Sequence, residues 1–377
     1  MVVLGGVTRL TRSGLSMTDW KFTGERPPST EAEWLEEFAR YQDSPEFKRV
    51  NLGMSLEEFK FIYWMEWGHR MWGRALGFAF AVPFAYFCAT RKMTWPLARR
   101  LLLIFGAGGA QGLIGWWMVK SGLEEPPEHW DVPRVSPFRL AAHLTSAFAI
   151  YAALAWTTLG VALPTPPRLD AAPAVARAMD AVRGRALPLA GLVAVTAVSG
   201  AFVAGMDAGR AYNTFPKMGD VWVPTEEYFL KKAPRWRSFF ESTAAVQFNH
   251  RVLAGTTLTS VLAFWAYSRR KLTSAGAPRR ATVLVDALAA LTCCQVGLGV
   301  ATLLNHVPVE LGSAHQATAL ALFTVVVSLL HALRRGPTVA RLPALLASMS
   351  MALAPAAAVG AAGAGLATTA TGGAVPV

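Results

Sequence analysis

The sequence predicts an all-α membrane protein that crosses the bilayer several times. Three observations predict it: apolar residues make up 53% of the 377 residues, charged residues only 16%, and the apolar residues come in runs long enough to span a bilayer. A net charge of +12 would suit nucleic acid, but the cations lie in short clusters between the apolar runs. Such clusters set membrane orientation. We therefore expect contact with membrane lipid and no nucleic-acid partner.

The apolar runs predict eight membrane spans, the first of them incomplete. Residues 1–8 are apolar but much shorter than the about 20 residues that a span needs, so we expect the chain to begin inside its first span. The polar stretch Arg9–Glu58 then predicts a long extramembrane loop with a short helix. The remaining spans are predicted at Phe59–Ala89, Leu97–Val119, Leu140–Leu163, Ala186–Gly205, Val246–Tyr267, Ala281–Leu304 and Leu311–Leu333.

The loops differ in charge on the two sides of the predicted membrane. Those after spans two, four, six and eight are predominantly basic, which places them on the cytoplasmic or matrix side. The other loops mix acids and bases and should face the opposite side. All even-numbered spans therefore begin at that opposite surface.

The two halves of the chain resemble each other. Glu66-Trp-Gly-His69-Arg70 opens the second span, and Gln247-Phe-Asn-His250-Arg251 opens the sixth. Gln111-Gly-Leu-Ile-Gly115 matches Gln295-Val-Gly-Leu-Gly299, and His143 and His315 open spans four and eight. Each unit has four spans, an even number, so the two copies share one orientation and form a parallel repeat.

This repeat predicts two four-helix bundles. Residues 1–163 form the N-terminal bundle, 164–185 a linker loop, and 186–335 the C-terminal bundle. Residues 336–377 are rich in Ala and Gly and predict a low-complexity tail, with a ninth apolar segment as the alternative.

Four histidines recur at the starts of the even-numbered spans. Because those spans run in one direction, we expect all four imidazoles near one membrane surface. Two imidazoles from different helices of a bundle are suitable axial ligands for a six-coordinate heme. A lone histidine at a helix end is more often interfacial, but two repeated pairs favour ligation. Zinc is disfavoured because no carboxylate and histidine set repeats in both halves. The candidate ligands are His69, His143, His250 and His315.

One carboxylate distinguishes the halves. Glu66 precedes His69 by three residues and so shares its helix face, whereas the matching Gln247 cannot ionise. An ionisable group at membrane depth is usually functional. We infer a chemical site in the first half and an electron-transfer site in the second. The alternative is that Glu66 only pairs with Arg70 or Arg9 near the surface. Arg70 and Arg251 are also candidate partners of heme propionates.

At these motifs the chain resembles the heme A synthase family. The resemblance includes Gly5-Gly-Val-Thr-Arg9-Leu-Thr-Arg-Ser-Gly14-Leu-Ser and Asn213-Thr-Phe-Pro216-Lys-Met, and it extends to about Arg335. It is strongest for the mitochondrial and alphaproteobacterial branch. The chain departs from the family in its nearly absent first span and, compared with some bacterial members, in lacking a cysteine pair in an outer loop.

The resemblance implies a reaction and a ligand set. A methyl group of heme O is oxidised through an alcohol to the formyl group of heme A, by successive hydroxylations with water as the oxygen source. His69 and His143 would bind the substrate heme, Glu66 would be the catalytic acidic residue, and His250 and His315 would be the axial ligands of heme b. Glu66 could stabilise a carbocation, form an ester or act as a base. The sequence leaves these roles open.

The resemblance also implies surroundings. It points to the mitochondrial inner membrane, with a bacterial plasma membrane as the alternative, and to cytochrome c oxidase biogenesis. The implied partners are heme O and heme A, heme O synthase, an electron-transfer partner, cytochrome c oxidase assembly factors and a second copy of the chain.

Two other functions would use the same histidines. A diheme b-type cytochrome would exchange electrons with quinone without modifying heme, and a heme transporter or assembly scaffold would only carry it. The contrast between Glu66 and Gln247 favours the synthase, since pure electron transfer needs no carboxylate at one site.

Overall fold

The computed structural model describes residues 1–21, 23–126, 132–164, 171–231 and 234–335. Over these residues it is helical and contains no strand, apart from an isolated bridge between Met218 and Val221. The predicted tail, 336–377, and residues 165–170 of the predicted linker lie outside the described residues. The helices are α1 Val2–Leu10, α2 Glu31–Gln42, α3 Pro45–Arg49, α4 Leu56–Ala89, α5 Trp95–Leu123, α6 Pro137–Ala162, α7 Pro173–Gly205, α8 Thr225–Tyr228, α9 Arg235–Glu241, α10 Thr243–Ser274, α11 Arg279–Leu304 and α12 Val309–Ala332.

Six of these helices are long and apolar enough to cross a membrane, which confirms the prediction of a multi-pass helical membrane protein. They are α4, α5, α6, α7, α11 and α12. The predicted sixth span lies within α10, which has 32 residues but is more polar. The first, α1, has 9 residues. The full count of eight spans stays a prediction.

Local sequence signals set the helix starts. Ser55 and Glu58 form a capping box at the start of α4, in which each side chain accepts a hydrogen bond from the backbone N–H of the other. Thr30 and Glu33 do the same for α2. α7 begins at Pro173, where a proline fits the first helical turn. The prediction of a linker loop as far as residue 185 is therefore wrong from Pro173 onwards.

The helices of the two halves pack in corresponding ways. α7, α10, α11 and α12 form a closed ring, whose apolar core includes Val193, Val261 and Leu288. α4 packs on α5, and α5 on α6. α1 lies between α4 and α12, and α6 packs on both α7 and α12.

The first half has a buried apolar cluster where the segment before α4 meets the start of that helix. Residues from α2, α3 and the start of α4, including Phe38, Tyr41, Phe59 and Tyr63, form a buried aromatic cluster that we call the cap. In contrast, large apolar side chains farther along α4 and on α5 are exposed; Phe78 is 72% exposed and Leu103 is 69% exposed. These surfaces suit contact with lipid or an apolar ligand.

Candidate functional site

The structure brings the four predicted histidines together in two pairs. The side chain of His69 on α4 interacts electrostatically with that of His143 on α6. The side chain of His250 on α10 interacts in the same way with that of His315 on α12. All four side chains are half-buried. Each pair thus joins two helices of the same half.

Each histidine ring lies against a glycine of a neighbouring helix. A Cβ placed on that glycine would lie between 2.9 and 3.3 Å from the ring Cε1. The four contacts are Gly5 with His69, Gly115 with His143, Gly200 with His250, and Gly299 with His315.

The ring nitrogens have unequal partners. Nδ1 of His250 lies 2.7 Å from Ser199 Oγ, which already donates to the Thr196 carbonyl and can accept from Nδ1–H, so Nε2 of this ring is left to coordinate a metal. Nδ1 of His143 lies 3.1 Å from Gln111 Nε2, an amide nitrogen that can only donate, so this amide must turn before Nδ1–H can donate and Nε2 can coordinate. Gln295 Nε2 lies 3.2 Å from Nε2 of His315, so this amide must move if that nitrogen binds iron.

The donor set fits heme iron. Nδ1 of His69 and Nδ1 of His315 are buried without a hydrogen-bond partner, which is costly unless something else satisfies the ring. Paired imidazoles in an apolar bundle are a common ligand set for heme iron. Among the described residues, no three His, Cys, Asp or Glu side chains come together as a cluster that could hold a metal ion. The chemistry offered is therefore that of imidazole pairs.

Glu66 is buried and surrounded by hydrogen-bond donors. Its Oε2 accepts from the Ser16 hydroxyl and the Met17 N–H, both at 2.8 Å. Its Oε1 accepts from Arg70 at 2.6 Å, and the Glu66 side chain is only 3% exposed. The predicted pair with Arg70 exists, but it is buried rather than on the surface, and Arg9 instead binds Asp207.

Gln247 occupies the matching place against hydrogen-bond acceptors. Its Nε2 donates to the carbonyl oxygens of Ala208 at 2.7 Å and Tyr212 at 3.2 Å. Its Oε1 accepts from Arg251 at 3.0 Å. The loop after α7 therefore meets an amide where the loop after α1 meets a carboxylate.

The two arginines bind the loops as well. Arg70 donates to the carbonyls of Met17 and Asp19, at 3.0 and 2.9 Å. Arg251 donates to the carbonyls of Tyr212, Pro216 and Lys217, at 3.0 to 3.3 Å. The structure accounts for these guanidinium groups by loop contacts, and a role toward propionates stays a prediction.

Sequence reasoning missed the groups that surround the predicted residues. Ser16 and Met17 are far from Glu66 in the sequence, and only the folded chain brings them together. The glycines left a signal. Gly115 and Gly299 stand at the same place in a repeated motif, while Gly5 and Gly200 precede Arg12 and Asp207 by the same seven positions.

The chain is similar in sequence to a known protein family and to several named proteins. The family model described as cytochrome oxidase assembly protein, COX15-CtaA, matches residues 1–327. The chain is 58% identical over 335 residues to "Heme A synthase COX15" of Arabidopsis thaliana, covering 89% of this chain and 72% of that protein. It is 48% identical over 337 residues to the Bos taurus protein of the same name, covering 89% and 79%. It is 46% identical over 335 residues to "Heme A synthase" of Rhodospirillum centenum, covering 89% and 84%.

Proposed function

The chain belongs to the COX15-CtaA family of cytochrome oxidase assembly proteins, and on that premise we propose that it is a heme A synthase. It oxidises a methyl group of heme O to the formyl group of heme A for cytochrome c oxidase biogenesis. The observation that carries the proposal is the difference between Glu66 and Gln247 on otherwise matching frames of histidine, arginine and loop.

The proposed architecture is two parallel four-helix bundles, residues 1–163 and 186–335, with α1 and α10 completing eight spans. The packing supports this arrangement. α1 packs on α12, and its proposed counterpart α7 packs on α6. The helices α6 and α12, which would be counterparts of each other, are also in contact.

Each half has its own heme in this proposal. His69 and His143 bind the substrate, heme O, and the exposed apolar side chains of α4 and α5 accommodate its farnesyl tail. His250 and His315 hold heme b as axial ligands within the ring of α7, α10, α11 and α12. Heme b, when bound, supplies one-electron transfer.

Glu66 acts as a fixed negative charge beside the substrate. Each hydroxylation consumes one water and releases two protons and two electrons, and the electrons pass to the proposed electron-transfer partner. Positive charge develops at the reacting carbon as the electrons leave. Three donors hold the Glu66 carboxylate in one orientation, which suits electrostatic stabilisation. A nucleophile or base would have to use the lone pair of Oε1 that these three donors leave unoccupied.

We propose the mitochondrial inner membrane as the location, with the bacterial plasma membrane as the alternative. The plant relative is 58% identical and the bacterial relative 46% identical, which favours the mitochondrial branch. Heme O synthase, an electron-transfer partner, cytochrome c oxidase assembly factors and a second copy of the chain are the proposed partners.

Pigment extraction tests the function. The protein is purified from membranes of cells that also make heme O, and its hemes are extracted and separated. Heme O and heme A beside heme B support the synthase. Heme B alone would overturn it and favour a diheme electron-transfer cytochrome.

A further inference from the structure

The contact between histidine and glycine recurs four times at different helix pairs. Gly115 on α5 and Gly299 on α11 each lie four residues after a glutamine that touches the same histidine ring. Gly5 on α1 and Gly200 on α7 each precede, by the same interval, a residue with left-handed backbone, Arg12 at φ 53° and Asp207 at φ 50°. The repeated register argues against four unrelated coincidences.

The contacts are too close for the glycine to be replaced by a residue with a Cβ atom unless the histidine ring moves. A Cβ on Gly299 would lie 2.9 Å from His315 Cε1, and one on Gly115 would lie 3.0 Å from His143 Cε1. The corresponding distances are 3.1 Å for Gly5 and 3.3 Å for Gly200. Ordinary contact begins near 3.4 Å, so each ring would have to move by a few tenths of an ångström.

Glycine is otherwise an unfavourable residue in a helix. Alanine stabilises a helix interior relative to glycine because glycine loses more backbone freedom on folding. Several glycines on the same helices have open space at the Cβ position, including Gly112 on α5, Gly191 on α7 and Gly297 on α11. On α5, α7 and α11 these glycines therefore provide matched positions without a contact to compare with the histidine-facing glycine. Gly6, Gly122 and Gly205 have close contacts of another kind, with Gln316, Leu15 and Pro137.

We propose that Gly5, Gly115, Gly200 and Gly299 are positioning residues that set the rotation of the four histidine rings. Each glycine lets the Cε1 edge of the ring rest directly on the neighbouring backbone, between the two ring nitrogens. This fixes where the nitrogens point and therefore the angle between the two imidazole planes of a pair. The inference rests on the proposed function, because it assigns the rings to heme iron.

The test compares Gly299→Ala with Gly297→Ala, two positions apart on α11. Gly200→Ala and Gly191→Ala form a second pair on α7. Bound heme is quantified, and the g-values of the low-spin ferric heme are measured by electron paramagnetic resonance, because these depend on the angle between the imidazole planes. We expect the histidine-facing variants to lose about half or more of their heme b or to shift the highest g-value. The control variants should keep both.

Several outcomes would overturn the proposal. Unchanged heme content and g-values in Gly299→Ala and Gly200→Ala would do so, and so would a lower melting temperature without any spectral change, which indicates ordinary packing. If Gly299→Ala fails to insert, Gly200→Ala decides, because its longer contact requires a smaller movement. Loss of heme from His315→Ala beside an unchanged Gly299→Ala would reject the positioning role alone. A wild-type protein without a low-spin bis-histidine signal would reject the proposed function itself.

Discussion

Glu66 near the start of α4 meets three hydrogen-bond donors, whereas Gln247 near the start of α10 donates to two carbonyl oxygens. Both positions are four residues before an arginine that holds the adjacent loop. The loops after α1 and α7 thus have opposite hydrogen-bonding character at the same place. The two halves therefore differ both in the side chain at this helix position and in the loop that contacts it.

The two halves also differ in where they bury apolar surface. The second half has a closed ring with a buried core inside its helices. The first half places its aromatic cluster in the cap and leaves large apolar side chains of α4 and α5 exposed. A closed ring suits a group that stays bound, and an open pair of helices suits one that is exchanged.

The largest expected effect is on the second half. His315→Ala should remove essentially all of the heme b held there, since the iron loses one of two axial ligands. His143→Ala should leave that heme in place. Heme content and the low-spin absorption spectrum measure both, with the exposed His306→Ala as the control. An unchanged bis-histidine spectrum in His315→Ala would contradict the assignment of this ligand.

The next expected effect is on the first half. Glu66→Gln should lower the rate of heme A formation by roughly 100-fold or more, because a preorganised charge is lost. Heme binding should persist, since Arg70 keeps its two loop carbonyls. The accumulated ratio of heme O to heme A is the measurement. Glu57→Gln, on the same helix and 79% exposed, is the control. Near-normal formation of heme A by Glu66→Gln would contradict a catalytic role and would show that Glu66 serves only to pair with Arg70 and the loop.

The reverse exchange tests the loop chemistry. Gln247→Glu should destabilise the second half by about 1–3 kcal/mol, because a carboxylate oxygen would face the carbonyls of Ala208 and Tyr212. Thermal unfolding followed by heme absorbance measures this. Asn249→Asp adds the same charge nearby but keeps the oxygen that accepts from Tyr228 at 2.9 Å. Equal destabilisation in both variants would show that charge alone matters.

A smaller effect, a change in stability with pH, should occur in the cap of the first half and not in the ring of helices α7, α10, α11 and α12. Burial raises the pKa of Glu46 from 4.5 to about 7, and its carboxylate accepts from Tyr41 at 3.1 Å. Because the pKa of Glu46 is higher in the folded than in the unfolded protein, protonation of Glu46 stabilises the folded cap. This stabilisation is fully present below pH 4.5 and is lost as the pH rises through about 7. We expect a loss of about 1–3 kcal/mol in the cap.

Hydrogen exchange of residues 31–58 at pH 5 and pH 8, corrected for intrinsic rates, measures the change in the cap. Glu46→Gln should abolish most of it, while Glu36→Gln, whose side chain is 71% exposed, should not. If hydrogen exchange in Glu46→Gln changed with pH as much as in the wild-type protein, a group other than Glu46 would be responsible.

The sequence predicted the features that depend on local pattern. Long apolar runs placed the main helices, and the repeated His69 and His250 motifs identified the candidate site. It could not predict that Ser16 and Met17 would surround Glu66, because those contacts depend on how a loop folds back on α4. The early start of α7 was missed because its arginines were assigned to a loop. Long arginine side chains can reach the surface from a helix, as Arg185 does over the Tyr267 ring at 4.0 Å.

The nine-residue helix α1 contacts both candidate sites through two adjacent residues. Gly5 faces the His69 ring, and a Cβ on Gly6 would overlap the side chain of Gln316, the residue after His315. Gln316 also donates to the carbonyl of Val2 at 3.1 Å. Any displacement of α1 is therefore shared by a ring in one half and the neighbour of a ring in the other. If binding at one site changes the affinity of the other through α1, thermodynamic reciprocity requires the second site to change the affinity of the first by the same factor.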